Sequence, residues 1–191
     1  MAHVTLIDRP RTIIGRLSSL YSRRRFGRDV EPAMAAAHHS GVLVAMGALE
    51  TAAELGWRRL DPKLRWLALQ LTSTRIGCSW CVDYGYYETV NGGMDPEKVR
   101  QVGQWRDSDL YDDRERAVLE YAEAATATPV SVGPELVDRL RHHLSEAEMV
   151  ELASWVAIEN FRSRFNGGLG LKSQGFAESC AVPMQVAAAS S

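Results

Sequence analysis

Between Asp61 and Gly77 the sequence makes a helix that is apolar almost all round, and a segment of that kind has one stable location. Asp61-Pro62 opens it with a side-chain acceptor for the free backbone donors of a first turn, then a proline whose missing N–H costs nothing there. From Lys63 to Thr74, Leu64, Leu67, Ala68 and Leu71 form one stripe, while Trp66 and Leu69 make the other faces apolar too. A helix without a polar face is a buried one, so this spacing predicts a core helix that other helices must surround. It delivers the chain to Gly77 and then to Cys78-Ser79-Trp80-Cys81.

The same start signals recur along the chain. Asp95-Pro96 predicts a short helix through Val102, and Gly133-Pro134 predicts another with Leu136, Val137, Leu140 and Leu144 on its inner stripe. Ser145-Glu146-Ala147-Glu148 is a capping box ahead of Met149, Leu152, Ala153, Val156 and Ala157, and Gly167-Gly168 is the stop. Arg114 to Thr126 has helical spacing, after an acidic, loop-like stretch from Trp105 to Asp113. Nearer the start, Ile13, Leu17, Leu20 and Tyr21 predict a helix over residues 10–25, and Glu31-Pro32 opens an alanine-rich one from Ala33 to about Leu55. Strand signals are confined to Val4–Ile7 and Pro129–Val132. The expected fold is therefore all-α, one domain with seven or eight helices, and 191 residues suffice to bury its core. The organisation expected is an arginine-rich arm over 1–30, a helical domain over 31–176 and a tail over 177–191.

Charge narrows the partners. With 22 basic and 24 acidic residues the net charge is −2, which does not describe a polyanion binder, and no nucleic-acid partner is expected. Seven arginines against Asp8 alone make residues 1–28 basic, which reads as a solvated helix face or an arm that wraps a sister subunit. No apolar run is long enough for a bilayer and the start has no signal-peptide core, so no membrane partner is expected and the expected compartment is the cytoplasm.

Several motifs fail on chemistry. Gly167 to Ser173 is glycine-rich, but Lys172 does not follow a glycine and the loop comes after a helix, so it is no phosphate loop. The pairs His38-His39 and His142-His143 lack the i, i+4 spacing that presents two imidazoles to one metal. Cys78 and Cys81 supply two of the roughly four ligands of a structural zinc. No metal is expected.

The cysteine pair reads better as a redox couple. Two cysteines three apart in a first turn share a face and can bridge with little backbone movement, while the free N–H groups there stabilise a thiolate. That makes the pair nucleophilic and reversible, the two properties a thiol–disulfide or peroxide-reducing reaction needs. Below Cys81 on the same helix come Tyr84 at i+3, Gly85 at i+4 and Glu88 at i+7, so Tyr84 and Glu88 are the local candidates for moving protons. Gly85 in mid-helix costs about 1 kcal/mol relative to alanine, which points either to space wanted beside Cys81 or to close packing against a neighbour.

In this context Leu64 to Val99 resembles the carboxymuconolactone decarboxylase and alkylhydroperoxidase D superfamily. The likeness lies in the buried helix, the turn at Gly77, Cys78-x-x-Cys81, the helix ended by Gly92-Gly93, and Asp95-Pro96-Glu97-Lys98-Val99. Asn160 to Gly168 is similar to the family's last core helix. The resemblance implies a helical bundle, no cofactor, a homo-oligomer, a small hydroperoxide as substrate and an external dithiol or redox protein as reductant. It also implies that Cys81 is the peroxidatic thiol and Cys78 its resolving partner, and that assignment is the one expected, although the position of Cys78 nearer the helix terminus favours Cys78 as the thiolate. The family's relay histidine falls at Gly85 and its relay glutamate at Trp66. Either Tyr84, Glu88, Glu50 or a histidine such as His39 rebuilds the relay, or the pair performs simple disulfide exchange. The alternatives are a lactone-decarboxylase-like lyase and a binding or structural member without catalysis.

Overall fold

The computed structural model describes residues 2–179, among which there are nine α-helices, two 3-10 turns and no strand. The stretch around Pro129 to Val132 folds back instead of pairing, with the Ser131 N–H donating to Ala124 O at 3.0 Å, and Val4 to Ile7 is irregular. The all-α expectation holds. The tail expected over 177–191 lies outside the described residues beyond Ser179, and so does Cys180.

The chain divides into two compact units, Met1–Arg58 with Asn166–Leu171, and Arg59–Phe165 with Lys172–Ser191. In the first, α1 (Ile13–Phe26) starts where the Thr12 hydroxyl accepts the Gly15 N–H at 3.2 Å and ends at Gly27, whose φ of 71° suits a residue without Cβ. Asp29 fastens the following turn, accepting from Ser19 Oγ at 2.5 Å and from Arg23 at 2.6 Å. The single helix expected from Ala33 to about Leu55 is two, α2 (Glu31–Ala36) and α3 (Ser40–Gly56). His39 makes the break. Its backbone is extended and its Nδ1 accepts the Val42 N–H at 3.3 Å, which caps α3, while His38 Nε2 lies 2.6 Å from Thr5 O. Both imidazoles thus have local structural work, and α1 packs on α2 and α3.

The second unit carries α4 (Pro62–Ile76), α5 (Ser79–Asn91), α6 (Pro96–Gln101), α7 (Asp113–Thr126), α8 (Pro134–His143) and most of α9 (Glu146–Gly168). Leu64, Leu67, Ala68 and Leu71 of α4 are buried, as their stripe predicts, whereas Trp66 and Leu69 on the other faces are half-buried, and α4 lies against α7 and α5. The stretch read as a loop after Val102 begins as a 3-10 turn, Val102–Asp107. Asp61 and Asp95 accept backbone N–H groups two residues on, and the capping box expected at Ser145 and Glu148 forms in both directions, while Asp112 with Glu115 makes a further capping box at the end of the stretch expected to be a loop.

Candidate active site

The turn between α4 and α5 sets the cysteines. Gly77 adopts a φ of 80° and closes α4, and Cys78 N–H donates to Ser73 O at 3.1 Å, so Cys78 becomes the N-cap of α5. Its Sγ takes the capping role usually held by an oxygen, accepting the Cys81 N–H at 3.2 Å. Both cysteines are buried and reduced. The Cys81 thiol also donates to Cys78, and the Ser163 hydroxyl adds a further bond, so the Cys78 thiol is brought down from its ordinary value of 9.0 to about 7 against the opposing effect of burial. Cys81 is pushed up, first by donating its proton to Cys78, then by burial and the nearby Glu159 carboxyl. Of the two, Cys78 is therefore the more readily ionised, and Cys81 holds its proton.

Glu159, on α9, is a buried carboxyl group beside the thiols, and the sequence did not single it out. Its side chain is 5% exposed, and burial raises its pKa while Arg162 at 3.3 Å and hydrogen bonds from Ser163 and Cys81 oppose the rise. Ser163 Oγ donates to Glu159 Oε1 at 2.7 Å and also bonds to both thiols. A buried carboxyl group, a serine hydroxyl and two thiols thus form one hydrogen-bonded cluster. Burial is what marks Glu159: the inner stripe of α9, Leu152 and Val156, continues through Glu159 and Ser163, so two polar residues occupy core positions.

The positions of the missing relay groups are filled by packing. A Cβ at Gly85 would collide with Gln70 Oε1, and Gln70 Nε2 donates to Val82 O at 3.2 Å, so the carboxamide lies flat on α5. Close packing, not open space beside Cys81, explains this glycine. Trp66 in the same way lies on Gly92, where a Cβ would meet its ring carbons. Tyr84 stacks on Trp80 with ring centroids 5.0 Å apart, and Phe176 meets it edge-on at 5.6 Å. Glu88 is half-buried two turns beyond Cys81 along α5. Of the other groups weighed for the relay, His39 caps α3 and Glu50 lies on α3 in the first unit. Among the described residues no group of three or more His, Cys, Asp or Glu is placed to hold a metal.

Asp83 completes the site from below. It is buried on α5, and its carboxylate accepts from Ser173 Oγ at 2.8 Å and from the backbone N–H groups of Gln174, Phe176 and Ala177 at 2.9, 3.1 and 2.7 Å. Trp80 Nε1 donates to Gln174 Oε1 at 2.8 Å. The strap 172–179 is thereby fixed across α5, with Phe176 against the aromatic rings.

The carboxymuconolactone decarboxylase family model matches residues 43–124. The uncharacterized protein YnjA of Escherichia coli (strain K12) is 34% identical over 65% of this chain and 66% of its own length, and YdfG of Bacillus subtilis (strain 168) is 28% identical over 49% and 65%. The chain thus spans just under two thirds of these curated relatives. Among solved structures, the debrominase Bmp8 superposes with a TM-score of 0.79 at 22% identity over 91% of this chain and 92% of that one. An alkylhydroperoxidase AhpD core protein from Ralstonia eutropha JMP134 superposes with a TM-score of 0.76 at 20% identity, covering 91% and 95%. These two likenesses establish the fold.

Proposed function

This chain belongs to the carboxymuconolactone decarboxylase superfamily, and on that premise we propose that it is a thiol-dependent oxidoreductase in which Cys78 and Cys81 cycle between dithiol and disulfide. The observation that carries the proposal is the Cys78 sulfur at the start of α5, held by the Cys81 N–H and S–H and brought to about 7, beside a buried Glu159. With a hydroperoxide as substrate, the Cys78 thiolate attacks the terminal peroxide oxygen. The O–O bond breaks, Cys78 becomes a sulfenic acid, and the departing alkoxide takes the Glu159 proton to leave as the alcohol. Glu159, now ionised, draws the proton from Cys81. The Cys81 sulfur then displaces hydroxide from the sulfenic acid, and a solvent proton completes water. Two thiols are oxidised and one peroxide is reduced, and an external dithiol resets the pair by exchange. These roles exchange those that the family resemblance gives the two cysteines.

The test is intact mass after one equivalent of cumene hydroperoxide. Loss of two hydrogens is expected, with the disulfide forming about 100-fold more slowly in Glu159→Gln, the scale of a lost general acid–base. A gain of oxygen without loss of hydrogens, or peroxide consumption unaffected by Cys78→Ser, rejects the reading. The aromatic wall of Trp80, Tyr84, Tyr87 and Phe176 favours one second reading, because Bmp8 is a debrominase and one of its structures holds 2,3,4-tribromopyrrole. The same two thiols balance that reaction, replacing an aryl C–Br by C–H with release of HBr and formation of the disulfide. Bromide release from tribromopyrrole by the reduced protein distinguishes it.

A further inference from the structure

Ser163 stands between the buried carboxyl group and the two sulfurs. It is fully buried one turn beyond Glu159 on α9, with its Oγ 2.7 Å from Glu159 Oε1, and it is also hydrogen-bonded to Cys78 and Cys81. Glu159 has a hydrogen bond of its own to Cys81, whereas its link to the Cys78 sulfur runs through Ser163. Local helix geometry sets this order, because residues four apart on α9 share a face. One carboxyl group is thus joined to one thiol directly and to both through a single hydroxyl.

That hydroxyl has one hydrogen to give and two lone pairs to offer, and it has three neighbours that can accept. It cannot donate to Glu159 and to Cys78 at once, so its hydrogen follows the charge. Beside an ionised Glu159 it points to the carboxylate. Beside a protonated Glu159, the state that burial favours, the acid O–H donates to Ser163 Oγ and the serine hydrogen turns to the Cys78 sulfur. An O···O distance of 2.7 Å suits donation in either direction. With no exposed surface, the hydroxyl makes these exchanges out of contact with bulk water.

We propose that Ser163 is a catalytic proton carrier, which takes the Glu159 proton on its oxygen while passing its own hydrogen to the oxygen that leaves from the peroxide at Cys78. The step rests on the thiol chemistry proposed above. As the Cys78 sulfur forms its S–O bond, the O–O bond breaks and the departing alkoxide receives the serine hydrogen as a proton. The Glu159 proton restores the hydroxyl. Glu159 is left ionised with that hydroxyl pointing back at it, and it recovers a proton directly from Cys81.

A leaving group that needs no proton exposes the step. Perbenzoic acid loses benzoate, a stable anion, whereas cumene hydroperoxide must lose an alcohol. Both are attacked by the same thiolate, so the ionised fraction of Cys78 cancels from the ratio of their rates. Each is mixed in excess with the reduced protein, and the Cys78 still open to N-ethylmaleimide is counted by peptide mass at successive times. In Ser163→Ala the rate with cumene hydroperoxide is expected to fall about 100-fold relative to that with perbenzoic acid. Glu159→Gln is expected to give the same selective loss, and the double variant no further loss, since carriers in series fail together. An unchanged ratio in Ser163→Ala, or losses that multiply in the double variant, overturns the proton carrier and leaves the thiol chemistry standing. Wild-type Cys78 that stays open to alkylation with both oxidants rejects the oxidoreductase reading, and the proton carrier with it.

Discussion

At the residue scale the site depends on where one proton sits. Cys78 and Cys81 are chemically identical, yet one caps a helix and accepts from both the N–H and the S–H of the other, which gives its proton away and faces a carboxyl group. A thiol lowered from 9.0 to about 7 is a thiolate above neutrality, so alkylation by iodoacetamide is expected to rise through about pH 7 and then level off, with Cys78 as the modified residue by peptide mass. Ser163→Ala removes a hydrogen-bonding partner that lowers the Cys78 thiol and is expected to move the inflection upward. An inflection near the ordinary thiol value in the wild type contradicts the assignment of the charge. The linkage has a definite sign: because the folded pKa lies below the unfolded one, the contribution of Cys78 to stability is complete above about pH 9 and is lost as pH falls through about 7. Much of this was legible in the sequence, since Gly77 followed by a C-x-x-C and a helix fixes the cap. Glu159 was not, because a carboxylate on a long helix is ordinarily a solvated residue, and only the burial of its neighbours on the same stripe marks it as a core group.

At the scale of elements, the two sequence positions that departed from the family pattern are packing contacts between α4 and α5. Gln70 lies over Gly85 and Trp66 over Gly92, so each large side chain on α4 faces a glycine on or just past α5. The sequence around Gly85 fits both open space and close packing, because the occupant comes from fifteen residues upstream on another helix. Gly85→Ala gains helix propensity of about 1 kcal/mol and must displace a buried carboxamide, which costs about 1–3 kcal/mol. Net destabilisation is expected in urea unfolding, and Gln70→Ala in the same chain is expected to relieve it. The strap gives a second outcome. Asp83 gathers three backbone N–H groups and one hydroxyl, so Asp83→Asn leaves some of those donors without an acceptor. Hydrogen exchange at Gln174, Phe176 and Ala177 is expected to quicken far more than exchange in α4. Equal change in both would mean that Asp83 supports the unit as a whole and not the strap.

At the scale of the whole molecule, the first unit leaves unusual amounts of apolar surface uncovered. On α1, Ile13 is 78% exposed, Leu17 55%, Leu20 51% and Tyr21 63%, and on α3 Val44, Leu49 and Leu55 are exposed as well. A contiguous apolar face of this kind is uncommon on a monomer and marks a surface that something covers. The alanine-rich helix predicted near the start of the chain, and the apolar stripe of the first one, showed that these segments pack. They did not show against what, because a stripe that meets its own core and a stripe that meets a sister chain have the same period. A second copy of the chain is the covering expected here, consistent with the arginine-rich helix read as an arm. Sedimentation of the wild type at micromolar concentration is expected to give a mass above the 21.2 kDa of one chain. A charge placed in the middle of that face is costly to bury, by several kcal/mol, so Leu17→Glu with Leu20→Glu is expected to shift the mass toward 21.2 kDa. Because α1 belongs to the first unit and the cysteines to the second, the iodoacetamide profile of Cys78 reports whether the thiol site survives the change. A wild-type protein of single-chain mass rejects self-association through this face, and a mutant that keeps the larger mass places the contact elsewhere.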